Sequence, residues 1–164
     1  MLWEVIAVIA TVAVFLLGRK LKRNYLTAYI IGLIYGAFWE FSAEALFTYS
    51  GFSIYLWRDV PLAILMLWGV VIASSMLISD ILQKKFKFKN KKWGTLTFDV
   101  LTVTAVGWFM EYSGSHYLHM WTYTAGTYGA LLFGTPVIWL LGWISVGLFV
   151  LTFIRAYGDL IKLK

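Results

Sequence analysis

Polar positions are sparse along this chain, and they are bunched. Between them run five apolar stretches, roughly 2–18, 25–47, 60–82, 94–112 and 133–155, joined by short connections. A helix needs about 20 mostly apolar residues to cross the hydrocarbon of a bilayer, and each stretch falls near that length. The pattern predicts an all-α fold of five transmembrane helices, forming a single transmembrane domain over residues 1–164.

Composition points the same way. Apolar residues make up 61% of the chain and charged residues 13%, where a soluble domain has about half and a quarter. An ordinary water-soluble globule and a disordered tail are excluded. The chain has no cysteine, which removes thiol catalysis, disulfides, thiolate zinc sites and Fe–S clusters.

The net charge of +6 changes the picture through its distribution. Every basic residue except Arg58 lies in one of three blocks: Arg19 to Arg23, Lys84 to Lys92, and Arg155 with Lys162 and Lys164. Five crossings bring these blocks to one side of the bilayer. The positive-inside rule makes that side cytoplasmic, so the N-terminus is out and the C-terminus in. Membrane lipids are therefore the expected partners of the basic residues, not nucleic acid, and a multi-pass protein of the cell membrane is expected. Glu4 flanks the first span where a leader carries basic residues, so this span reads as a retained anchor. Tyr55, Trp57, Trp121 and Tyr123 fall at the outer interface and Trp93 at the inner one, depths that amphipathic rings favour.

The second and fourth spans share a pattern. Gly36-x3-Glu40-Phe41-Ser42 is matched by Gly107-x3-Glu111-Tyr112-Ser113, Tyr55/Trp57 by Trp121/Tyr123, and Pro61 with Trp68 by Pro136 with Trp143. These matches, in the same order, predict two parallel helix-hairpin repeats preceded by an N-terminal helix. Parallel repeats place a shared site at their interface. A glycine one turn before each glutamate lets a neighbouring helix or a substrate approach closely.

Charges in hydrocarbon cost about 2.5–3.5 kcal/mol on insertion scales and so tend to mark function. Of the 8 acidic residues, Glu4 and Asp159 fall at interfaces. Asp59 precedes a helix that it can cap, and Asp80 and Asp99 lie near the inner lysines. Glu40, Glu44 and Glu111 remain, in the outer part of the bilayer. Glu40 and Glu44, four apart, share a helix face. Carboxyls brought together cannot all ionise cheaply, so these three are candidate proton donors and acceptors, the alternative being an interhelical clamp. Trp39, Trp68, Trp108, Tyr112, His116, Tyr123 and Trp143 lie at similar depth and are candidate walls of an apolar substrate site, whose ring faces would stabilise a cation. His116 and His119 suit a structural or proton-shuttling role better than a metal. No P-loop, dinucleotide fingerprint or nucleophile elbow is present, so neither metal nor cofactor is expected.

Glu111-x2-Gly114, Trp121-x-Tyr123, Gly134-Thr135-Pro136 and Trp143 are echoed by Glu40, Tyr55-x-Trp57, Val60-Pro61 and Trp68. This string resembles the integral-membrane carotenoid biosynthesis proteins that include bisanhydrobacterioruberin hydratase. The resemblance implies water addition to a terminal isoprenoid double bond, with Glu111 and Glu40 as acid and base. Between Glu111 and Trp121 those relatives are Gly-rich and this chain is His/Tyr-rich, which leaves open a shared fold with a different reaction, such as cyclisation or isomerisation of an alkene. Three readings follow: an enzyme acting on an isoprenoid or similar apolar lipid by acid catalysis, a small transporter or channel binding protons or cations, and a subunit of a larger assembly. A homo-oligomer is compatible with all three.

Overall fold

The computed structural model describes residues 2–21, 25–87, 91–124 and 129–162, with all their side chains except those of 44, 91 and 158–162. The helices are α1 (Leu2–Lys20), α2 (Leu26–Ala43), α3 (Leu62–Phe86), α4 (Lys91–His116), α5 (Val137–Ser145) and α6 (Thr152–Lys162). A π-helical turn, Val146–Leu151, joins α5 to α6. Four helical segments are long and apolar enough to cross a membrane: α1, α2, α3 and the continuous stretch Val137–Tyr157. The fourth expected span, α4, is 26 residues long but less apolar, and it carries the buried Asp99 and Glu111.

The helices leave two unlike ends. One carries the basic connections. At the other the chain folds into short strands: β1 (Phe47–Tyr49), β2 (Tyr55–Trp57), β3 (Val60–Pro61), β4 (Trp121–Tyr123), β5 (Leu131–Leu132) and β6 (Thr135–Pro136). They form three antiparallel pairs, β1–β4, β2–β3 and β5–β6, so the all-α expectation needs amending. β1 meets β4 in the register Phe47↔Tyr123, Thr48↔Thr122, Tyr49↔Trp121. Pairing satisfies backbone groups that a loop at this depth would leave bare. α2 stops at Ala43 rather than running to 47, because a 3-10 turn over Glu44–Leu46 leads into β1, which pairs with β4. Asp59 lies in the turn between β2 and β3 and does not cap α3, whose N-cap is Pro61 without a side-chain cap bond. Proline tolerates this place because the first helical turn has no partner for its missing N–H.

α3 is the central element, packed by α1, α2 and α4, while α4 packs against α5 and the π turn. Backbones meet closely where glycine allows it. A Cβ on Gly32 would lie 2.9 Å from the Gly69 Cα, and one on Gly147 2.7 Å from the Val100 Cα. α1 is tied to the strand end by Glu4, whose carboxylate accepts the amide N–H groups of Ser53 (2.6 Å) and Ile54 (3.1 Å).

At the basic end, Arg155 donates from Nε (2.9 Å) and Nη2 (2.7 Å) to the two oxygens of Asp99, and from Nη1 to Asp80 (2.6 Å). Tyr25 also donates to Asp80 (2.8 Å), and Ser79 to Asp99 (2.5 Å). Asp80 and Asp99 thus bind Arg155 rather than the loop lysines expected from sequence. A planar guanidinium can serve two carboxylates at once, which a lysine ammonium does less well.

Candidate active site

Two carboxyls lie just beneath the β1–β4 ribbon. Glu40 on α2 is 5% exposed and Glu111 on α4 is 7%. Glu40 Oε1 accepts the indole N–H of Trp68 at 2.6 Å, and its Oε2 accepts the Tyr49 hydroxyl. Glu111 Oε2 accepts the Tyr123 hydroxyl at 3.1 Å, and Trp143 and Trp121 flank the same carboxyl. Tyr49 and Tyr123, which reach down from paired strands, therefore serve one glutamate each.

The glycines explain how the indoles arrive there. Any Cβ on Gly36 would overlap the Trp68 ring, and any Cβ on Gly107 would overlap Trp143. Each indole packs against the helix that carries a glutamate one turn further on. The two indoles then stack on each other, centroids 4.6 Å apart and planes at 27°, closing the floor of the site.

Glu40 and Glu111 line one cavity of about 20 Å³, together with Trp39, Phe47, Tyr49, Trp68 and Trp121. That is room for one water. A second cavity, about 10 Å³, is lined by Glu111, Tyr35, Trp39, Trp68, Trp139 and Trp143. Among the described residues no lysine, arginine or histidine lines either one. The indole N–H groups of Trp121 and Trp139 are buried without an acceptor among the described residues. Burial, and the Glu111 carboxyl beside it, push the Tyr123 phenol above its ordinary range, so its hydroxyl stays protonated and remains a donor. Two carboxyls, O–H and N–H donors, and no fixed cation make a site that can hold and pass a proton.

The residues singled out from sequence are distributed unevenly. Trp39 and Trp68 line both cavities, Trp143 lines the second, and Tyr123 binds Glu111. The Glu44 side chain lies outside the described residues. Its backbone belongs to a 3-10 turn after the end of α2, so the helical face it was expected to share with Glu40 stops short of it. Trp108, Tyr112 and His116 line neither cavity. Tyr112 stacks on His116 at 4.8 Å, and His116 Nδ1 lies 2.8 Å from Ser115 Oγ while its Nε2 abuts Gly134. His116 braces the β5–β6 turn, where Phe133 and Gly134 both have positive φ. Among the described residues no three His, Asp or Glu side chains gather as a metal site.

Trp139, a further ring at this depth in sequence, lines the second cavity, while Tyr49 and Phe47 line the first and were missed in sequence. The signal for Tyr49 was present: Phe47-Thr48-Tyr49 and Trp121-Thr122-Tyr123 are the same aromatic-Thr-Tyr triplet, and they are the two strands that pair. Tyr55 and Trp57, matched to Trp121 and Tyr123 by sequence, instead lie exposed on β2.

No protein-family model matches the chain, and comparison with curated proteins and with solved structures finds no match.

Proposed function

We propose that this chain is a five-span protein of the cell membrane, N-terminus out and C-terminus in, that acts on an isoprenoid or similar apolar lipid by acid–base catalysis at Glu40 and Glu111. The observation that carries the proposal is the water-sized cavity shared by the two carboxyls, walled by rings and, among the described residues, free of cationic side chains. The β1–β4 pairing and the recurring Gly–Trp–Glu–Tyr contacts support two parallel helix-hairpin units with one site between them. The Glu4 contacts, which hold the start of α1 at the strand end, support the orientation.

Roles follow from hydrogen bonding. Both oxygens of Glu40 already accept donors, which suits the carboxylate form, so Glu40 is the base. Glu111 borders both cavities and is the acid. The Glu111 O–H bond breaks and its proton goes to the less substituted carbon of a terminal isoprenoid double bond, whose π pair forms the new C–H bond and leaves the tertiary carbon cationic. The resulting cation sits against indole faces, an attraction of about 2 kcal/mol or more when desolvated. Water then adds while Glu40 takes its proton, giving an alcohol. Alternatively Glu40 removes a proton from a neighbouring carbon, giving an isomerised or cyclised alkene. Either way one proton has moved from Glu111 to Glu40, and its return through the cavity resets the pair. The first outcome is the chemistry of the carotenoid hydratases that the motifs resemble.

The test uses cells that make lycopene, with and without the chain and its Glu111→Gln form, and compares extracted pigments by mass spectrometry. A product one water heavier, or one of unchanged mass and altered retention, that is lost in the variant supports the proposal. Identical pigments in all three overturn it for linear carotenoids. A second reading, a small proton or cation transporter, is favoured by the cavity's size and by buried polar groups that continue down α3, from Ser75 (0% exposed, without a partner among the described residues) to Ser79. Proton flux in proteoliposomes that disappears with Glu40→Gln would support that reading.

A further inference from the structure

The cavity between the two carboxyls has room for one very small molecule, about 20 Å³, and its walls say which. A water needs about 10–15 Å³ of such space and two to four polar partners. Glu40, Glu111, Tyr49 and Trp121 line this space and supply them. Glu40 accepts from Trp68 through one oxygen and from Tyr49 through the other, and each of these oxygens keeps a second lone pair.

Trp121 is the odd member of the set. The β1–β4 register sets it opposite Tyr49, and directly opposed residues project from the same face of a strand pair. Its indole is 3% exposed and packs so tightly on α4 that any Cβ on Gly114 would overlap the ring. The N–H lies beside the Glu111 carboxyl and the Tyr123 hydroxyl, yet it has no acceptor among the described residues. A buried donor left unpaired is costly. An occupant of this cavity must therefore accept from an N–H and also donate to a carboxyl. A metal cation or an ammonium group cannot accept, and an anion is repelled by the carboxylate. Water does both.

We infer that the cavity binds one water molecule, held by the Trp121 N–H, which joins Glu40 and Glu111 into a single proton-sharing pair. With the proton on Glu111, the water accepts from the Glu111 O–H and the Trp121 N–H and donates to Glu40. In transfer, the Glu111 proton passes to the water oxygen as one of the water's own protons passes to Glu40. Two O–H bonds break, two form, and the water is regenerated. The same path run backwards returns the proton to Glu111 after turnover. That resetting role rests on the acid–base reading, whereas the binding of the water does not. Trp121 is a positioning residue in this scheme, acting through the water.

The test is proton-detected solid-state NMR of the full chain in lipid bilayers. Labelling at tryptophan resolves the indole N–H groups of its 9 tryptophans, and Trp121→Phe identifies the Trp121 signal. The expected result is a cross-peak between that N–H and water. Tyr49→Phe and Tyr123→Phe remove hydroxyls able to carry the signal instead, and both should keep the cross-peak. Glu40→Gln and Glu111→Gln retain a carbonyl acceptor and should keep it too, while Glu40→Leu and Glu111→Leu should lose it. No cross-peak in the unsubstituted chain would overturn the inference. So would a cross-peak lost with either tyrosine hydroxyl, or one that both leucine variants leave intact. Should the leucine variants fail to fold, the unsubstituted chain and the tyrosine variants still decide. A cross-peak together with unchanged pigments in lycopene-producing cells would sink the acid–base reading for linear carotenoids and leave the water standing. Altered pigments without the cross-peak would do the reverse.

Discussion

Glycine, indole and carboxyl act as a unit in this protein, and the unit occurs twice. Gly36 lets Trp68 lie against α2 and donate to Glu40, and Gly107 lets Trp143 lie against α4 beside Glu111. The two halves of the unit can be separated by substitution. Trp68→Phe keeps the ring in place but removes the N–H donor, leaving a buried carboxyl oxygen unpaired at a cost of about 1–3 kcal/mol. Thermal unfolding in detergent should show the loss, and Trp68→Phe combined with Glu40→Gln should lose less than the sum of the two. Gly107→Leu acts through space instead. Its side chain overlaps the Trp143 ring, overpacking of a kind that costs about 1–3 kcal/mol, and intrinsic fluorescence should report the displaced indole as well as the lowered melting temperature.

At the scale of elements, the helices were legible and the strands were not. Runs of about twenty apolar residues announce helices through length alone, and the apolar stretches match α1 to α3 and the last segment to within a few residues. Strands of two or three residues carry too little alternation to be seen. The ribbon over the site was therefore read as a helix end and a loop, and Tyr49, the second donor to Glu40, was lost with it. The carboxyls themselves were legible because charge within apolar sequence is rare. What they bind was not, since partners come from elements far apart in the chain. Arg155 makes the same point. In sequence it is one more basic residue at the tail, whereas in space its fork closes α6 onto α3 and α4 through Asp80 and Asp99. Asp99→Asn leaves that guanidinium half-paired in a largely buried position, where losing one partner of an ion pair costs about 3 kcal/mol or more. Asp99→Asn should therefore lower the unfolding temperature of the purified protein, and replacing both Asp99 and Arg155 by apolar residues should recover much of the loss.

For the whole molecule, the central expectation is a sidedness. Strands, carboxyl pair and the start of α1 share one end, and the basic connections share the other. Because the chain has no cysteine, single introduced thiols report this cleanly. Ser53→Cys should react with a membrane-impermeant maleimide in intact cells, and Lys85→Cys only after lysis. The opposite pattern would invert the orientation, and reaction of both from outside would remove α3 as a crossing. The account as a whole depends on one proton held between Glu40 and Glu111. Infrared spectroscopy of the protein in lipid at neutral pH measures it directly, through the carbonyl stretch of a protonated carboxylic acid. A band that shifts in D2O and disappears in Glu111→Gln is the predicted result. A spectrum without that band, or one that Glu111→Gln and Glu40→Gln leave unchanged, would contradict it.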